Sequence, residues 1–224
     1  MNKDLEKVLD TKSNDNKTHK MSRTARAFLS GLSLAITGVF CVGCVFFANE
    51  NTKDIIAQNE SHGIKGRLKS LLPPEAQEKG VVINCYNIKT NKMIGNNQKL
   101  FVASKDIDIK GYVLTYSTNL GYSDPLVMIT GFTKDKKVYK ADIHFSQETP
   151  GLGDKVDRAH GNFLDQFNDK SLNEANWDVK KYGGDFDFIT GSTVTSRATV
   201  ISTSQALKAL DNININTLSK CKVF

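Results

Sequence analysis

Histidine is scarce: there are four in 224 residues, and they are scattered (His19, His62, His144, His160). No Ser–His–Asp arrangement and no metal-ligand spacing accompanies them, which excludes a hydrolytic triad or a zinc framework legible in the sequence. The four read as surface residues. Acidic residues are missing between Lys17 and Arg26, a stretch with four basic ones (Lys17, Lys20, Arg23, Arg26). Charge of either sign is missing from Ala27 to Ala48. From residue 49 onward the large excess of positive charge that marks a nucleic-acid surface is also missing, with 23 Lys/Arg against 20 Asp/Glu. The formal net charge of +6 is therefore split evenly, with +3 from residues 1–48 and +3 from the rest. No nucleic-acid partner is expected. No internal repeat is found in the soluble part.

The uncharged run is the first feature present. Its 22 residues, AFLSGLSLAITGVFCVGCVFFA, extend about 33 Å as a helix, enough for a bilayer core. It has no polar stripe, so it does not read as the core helix of a soluble domain. A cleaved signal peptide needs a shorter apolar core and a small-residue cleavage site. A lipoprotein signal at Gly43-Cys44 is weakened by Cys41, which stands where leucine is wanted. The reading is an uncleaved anchor with residues 1–26 cytoplasmic and the rest outside, as the positive-inside rule orients it. Cys41 and Cys44 share a helix face. A Cys-x-x-Cys pair can mean redox or metal chemistry; in a lipid-facing helix it reads as two small apolar residues at a helix contact. Cys85 and Cys221 can pair in an oxidising compartment, although Cys221 falls in an expected tail, and the pairing is left open.

Past the anchor, Thr52 is a candidate cap for a helix carrying Ile55, Ile56, Ile64, Leu68, Leu71 and Leu72, which Pro73-Pro74 terminates. Strand patterns follow at Val81–Ile88, Leu100–Ala103, Gly111–Ser117, Val127–Phe132 and Val138–Phe145. The last two are joined by the polar turn Lys134-Asp135-Lys136-Lys137 and read as a hairpin. Gln147-Glu148-Thr149-Pro150-Gly151-Leu152-Gly153 has too much Pro and Gly for a strand or helix interior and reads as a loop. Asp187-Phe188-Ile189-Thr190-Gly191-Ser192-Thr193-Val194-Thr195-Ser196-Arg197 clusters small hydroxyl residues around one glycine. It follows the Gly183-Gly184 turn and opens a helix with an apolar face of Ala198, Val200, Ile201, Ala206, Leu207 and Leu210. Ser196 is the candidate N-cap. Backbone N–H groups and the positive dipole end favour a phosphate there, and an ordinary capped helix after a loop is the plainer reading of the same residues.

Residues 183–198 resemble the C-terminal part of the G subunit of the Rnf electron-transport complex, and Glu148-Thr149-Pro150-Gly151-Leu152-Gly153 resembles that family's second signature. The order and spacing of the two match the family's. The resemblance covers roughly residues 25–211, including Asn162–Phe167 as a short aromatic helix and Trp177–Lys180 as a strand into the Gly-Gly turn. The C subunit of the sodium-translocating NADH:quinone reductase carries a related motif and is the nearest alternative. A membrane-anchored binding or structural domain without flavin is the alternative of another class.

The resemblance implies an α+β protein. A single N-terminal transmembrane helix would precede one exported FMN-binding domain with a mostly antiparallel sheet and flanking helices. The implied divisions are a cytoplasmic tail (1–26), the anchor (27–48), a helical stalk (49–79), the FMN-binding domain (80–211) and a C-terminal tail (212–224). It implies FMN attached through a phosphoester to Thr193 by a flavin transferase that uses FAD. Asp187, Thr190 and Gly191 stand on the motif positions, and Gly191, Ser192 and Val194 give close backbone approach. Glu148, Thr149, Gly151 and Leu152 form the facing loop. Thr195 is the internal competitor for the acceptor role. Ser192 stands where the family usually has Ala, Phe188 where Gly is frequent, and Ser146 where His is common. Lys110, Lys180 and Lys181 are candidates to stabilise a reduced flavin. The implied function is electron transfer in a ferredoxin:NAD oxidoreductase coupled to ion translocation. Its partners would be the other membrane subunits, and it would be a single-pass protein of the bacterial inner membrane with a periplasmic main domain.

Overall fold

A computed structural model describes residues 22–221. The expected cytoplasmic tail up to residue 21 lies outside the described residues. Helix α1 (Arg23–Leu71) is continuous over 49 residues. Its segment Ala27–Lys53 has a mean hydropathy of 2.2 and none of it is buried, so it is long and apolar enough to cross a membrane. Thr52 does not cap a new helix. It lies inside α1, with its hydroxyl donating to the Ala48 carbonyl at 2.5 Å. The side chains of Ile55, Ile56 and Ile64 lie outside the described residues. The helix stops at Leu71, just before Pro73-Pro74, and the second proline starts a 3-10 turn, Pro74–Gln77.

The domain beyond is built on one antiparallel sheet of β1 (Val82–Asn91), β2 (Gly95–Lys105), β3 (Asp108–Thr118), β4 (Leu126–Thr133), β5 (Val138–Phe145) and β6 (Ser219–Lys220). Their order across the sheet is β5-β4-β3-β2-β1-β6. Both faces are covered, which is why the strands read as nearly continuous apolar runs. Leu100, Val102, Tyr112, Leu114, Tyr116, Met128 and Phe132 point to the face covered by helix α2 (Thr193–Asn212), with Ala198, Val200, Leu207 and Leu210 in the same cluster. Phe101, Ala103, Val113 and Ile129 point the other way, onto Leu68, Leu71 and Leu72 at the end of α1. The alternation is the strand period of two.

Helix α2 is unusually rich in buried hydroxyls. Thr199 and Thr203 donate back to the carbonyls of Ser196 and Thr199, both at 2.7 Å, so burial leaves them satisfied. Tyr116 bonds Thr130 at 2.8 Å and Thr203 at 2.9 Å, tying helix to sheet, and burial pushes its phenol up to about 12.

Two expectations change, and a third is met. Trp177–Lys180 is not a strand: it makes one bridge, Val179 with Phe186, followed by a 3-10 turn at Lys180–Tyr182. The short aromatic helix expected at Asn162–Phe167 is present, as the 3-10 helix Phe163–Phe167. The segment after Asn212 is tied down. Its Ser219 and Lys220 pair with Asn87 and Tyr86 of β1, and Cys221 is disulfide-bonded to Cys85.

Candidate functional site

Gly191 sets the geometry of the site. Its φ of +84° is left-handed, a region open to glycine. The turn ends with the Ser192 N–H donating to the Ile189 carbonyl at 2.9 Å. Helix α2 therefore begins at Thr193, with Ser192 as its N-cap residue. The cap expected at Ser196 is corrected: Ser196 lies in the first turns of the helix. Its hydroxyl donates to the Ser192 carbonyl at 2.8 Å and accepts the Ile189 N–H at 3.0 Å, clamping the turn. Ser192 makes no side-chain cap, and its buried hydroxyl has no partner among the described residues. The N–H groups of Thr193, Val194 and Thr195 likewise meet no acceptor among the described residues. Three unused N–H donors at the start of a 20-residue helix make an anion-binding end.

The three hydroxyls beside one another have different fates. Ser192 and Thr195 are buried, at 5 % and 1 % exposure. Thr193 is half-buried and lines a cleft of about 630 Å³. Of the three, the Thr193 side chain alone is both open to the cleft and unengaged among the described residues.

The Pro/Gly loop closes that cleft. Glu148, Thr149, Leu152 and Gly153 line it together with Gly191, Ser192, Thr193, Val194 and Thr195. The two sequence signatures thus meet in one cavity. Glu148 joins them. Its carboxylate is buried and accepts the Thr195 hydroxyl at 2.9 Å, the Tyr122 N–H at 3.0 Å and the Ser123 N–H at 3.2 Å. A buried carboxylate with three donors is a satisfied strut rather than an isolated charge. Gly121 and Gly153 leave it room: a Cβ would fall 2.6 Å and 2.5 Å from its two oxygens. Ser146 holds the base of the strut, accepting the Glu148 N–H at 3.1 Å.

Other expected site residues lie elsewhere. Gly151 and Asp187 line a second cleft of about 810 Å³, with His160, Phe163 and Ile189. Asp187 is paired with Lys180 at 2.7 Å, and its N–H donates to Gln166 at 2.7 Å. Thr190 is exposed and lines neither cleft. Lys110 pairs with Asp108 at 2.7 Å, and Lys181 lies 5.8 Å over the Tyr182 ring. None of Lys110, Lys180 and Lys181 lines either cleft.

No sequence pattern points to Tyr122. It stands in a Gly-Tyr-Ser-Asp-Pro turn between β3 and β4, which carries no helix or strand periodicity. The same holds for the pairing of Arg197 with Asp178 through two 2.8 Å bonds. Arg197 holds the Asp178 carboxyl below its ordinary value of 3.8. The guanidinium also lies 4.4 Å over Tyr182, so the Gly-Gly turn is fastened to the first turn of α2.

Among the described residues no group of His, Cys, Asp or Glu could hold a metal ion. The cleft suits a phosphorylated aromatic group instead. It has an anion-binding helix start, no Cβ at residue 191, and Leu152 and Val194 as apolar lining. Its volume is that of an ordinary cofactor site.

Comparison with known proteins agrees with this chemistry. Residues 121–208 match the FMN-binding domain family. The chain is 31 % identical over 198 residues to the G subunit of the ion-translocating oxidoreductase complex of Photorhabdus laumondii, covering 85 % of this chain and 94 % of that protein. It is 34 % identical over 176 residues to the G subunit of the Erwinia tasmaniensis complex, covering 76 % and 83 %. To the G subunit of the Escherichia coli K12 complex it is 30 % identical over 179 residues, covering 79 % and 87 %.

Proposed function

The chain belongs to the G-subunit family of ion-translocating oxidoreductase complexes, and from that premise we propose that it carries FMN as a phosphoester on Thr193. The observation that carries this reading is the position of the Thr193 hydroxyl. It is open to the cleft, beside three unused N–H groups, on the first residue of α2.

Threonine does not attack a phosphate unaided, so attachment needs a flavin transferase and an activated donor, FAD. The helix start holds the phosphate. Gly191 lets it approach the backbone, and Leu152 and Val194 give the cleft an apolar lining. Glu148 keeps Thr195 and the 122–123 turn in place. Bound FMN supplies one- and two-electron chemistry, and the protein supplies position and potential.

The chain passes electrons as one member of an Rnf-type ferredoxin:NAD oxidoreductase coupled to ion translocation, with the other membrane subunits as partners. Helix α1 anchors it in the bacterial inner membrane, and the FMN-binding domain lies on the periplasmic side. The Cys85–Cys221 disulfide supports that side, because disulfides persist in oxidising compartments.

The test is in-gel flavin fluorescence of the full chain co-expressed with a flavin transferase. Thr193→Val abolishes the signal. Thr195→Ser, which keeps the hydroxyl held by Glu148, retains it. Flavin retained covalently in the Thr193 variant contradicts the assignment.

A further inference from the structure

Tyr122 is 77 % exposed, yet it stands in the wall of the cleft that holds Thr193. Leu152 and Val194, in the same cleft, are 50 % and 54 % exposed. Three large apolar side chains left open around one cavity mark a surface that a flat apolar group covers. The backbone of Tyr122 is nevertheless fixed, because its N–H and that of Ser123 are held by the buried Glu148. Among the described residues its ring takes part in no aromatic or cation contact, unlike Tyr182 under Arg197. An anchored backbone carrying an uncommitted ring is how a protein presents a stacking face.

We propose that Tyr122 is the aromatic wall of the flavin site, its ring lying against the isoalloxazine of FMN carried by Thr193. The inference rests on the covalent-FMN reading above and deepens it. Leu152 and Val194 complete the apolar enclosure, and the helix start takes the phosphate. Tyr122 is thus a cofactor-positioning residue brought to the site by Glu148, from a turn 71 residues before the acceptor.

A phenol in contact with a flavin leaves a signature independent of turnover. It gives an electron to the photoexcited ring and takes it back, which shortens the flavin fluorescence lifetime. The experiment compares the flavinylated full chain, its Tyr122→Phe variant and its Tyr182→Phe variant, after peptide mass has established FMN on Thr193 in each. Tyr122→Phe keeps a ring of the same shape but is a far poorer electron donor. The expected result is a severalfold longer lifetime in Tyr122→Phe and no change in Tyr182→Phe. An unchanged lifetime in Tyr122→Phe, with FMN on Thr193, overturns this inference alone. Absence of FMN from Thr193 in the unsubstituted chain overturns the covalent reading, and this inference with it.

Discussion

The Glu148 carboxylate accepts the Thr195 hydroxyl at 2.9 Å, across 47 residues of sequence, and so fastens the Pro/Gly loop to the first turn of α2. Its other oxygen holds the backbone of the turn after β3. One buried side chain therefore sets the spacing of three walls of the cleft.

Glu148→Gln keeps the volume but replaces one acceptor oxygen by a donor amide facing a donor. At least one buried donor is left unpaired, at about 1–3 kcal/mol. Urea unfolding of the unmodified protein is expected to show a loss of that size. In the same variant less FMN is attached by the transferase. Unchanged stability and unchanged loading would remove Glu148 from the role of strut.

Gly153→Ala puts a methyl 2.5 Å from one Glu148 oxygen and 2.7 Å from the Glu148 Cβ. The loop has to shift, costing about 1–3 kcal/mol as overpacking does. Gly161→Ala, with nothing within 4 Å of the added methyl, is the control and changes stability little. Equal denaturation midpoints for the two variants would contradict the packing argument.

The Asp178–Arg197 pair predicts a pH dependence. Arg197 lowers the Asp178 carboxyl below its ordinary 3.8, so the folded state favours the charged form. The resulting stability is present above that ordinary value and is lost as pH falls through the lowered folded value. Arg197→Met therefore lowers the melting temperature at pH 7, and the gap from the unsubstituted protein narrows as pH falls below the ordinary value of 3.8 and through the lowered folded value. A gap that is constant with pH would mean that packing on Tyr182, and not the charge pair, sets the loss.

Much of this fold is legible in the sequence. The run Leu100–Ala103 reads as a strand, and the Lys134–Lys137 turn reads as a hairpin tip, because both signals are local. The Pro73-Pro74 stop is local as well. The helix start was displaced because Ser192 and Ser196 are the same residue type, and only the positive φ of Gly191 decides between them. Strand β6 was missed because two residues carry no period; its pairing depends on β1, over 130 residues earlier. The two site signatures are recognisable one by one. Their junction at Glu148, and the arrival of Tyr122 beside Thr193, come from packing that no local pattern encodes.

The Cys85–Cys221 bond closes a loop of 136 residues and pins β6 to β1. Cys221→Ser is expected to lower the unfolding free energy by about 2–5 kcal/mol. Reducing agent should bring the unsubstituted protein to the same stability. Thiol labelling of the unsubstituted full chain in intact cells, under denaturing quench, should leave both cysteines unreacted. Labelling of Cys85 and Cys221 would contradict the disulfide and the side of the membrane it supports.

The most direct test of the central claim is peptide mass mapping of the full chain purified from membranes of cells that supply a flavin transferase. Trypsin releases residues 182–197, with every hydroxyl of the motif on one peptide. The predicted result is a gain of one FMN less one water, which fragmentation assigns to Thr193. An unmodified peptide from a folded protein, or a flavin on Thr190 or Thr195, would contradict the account.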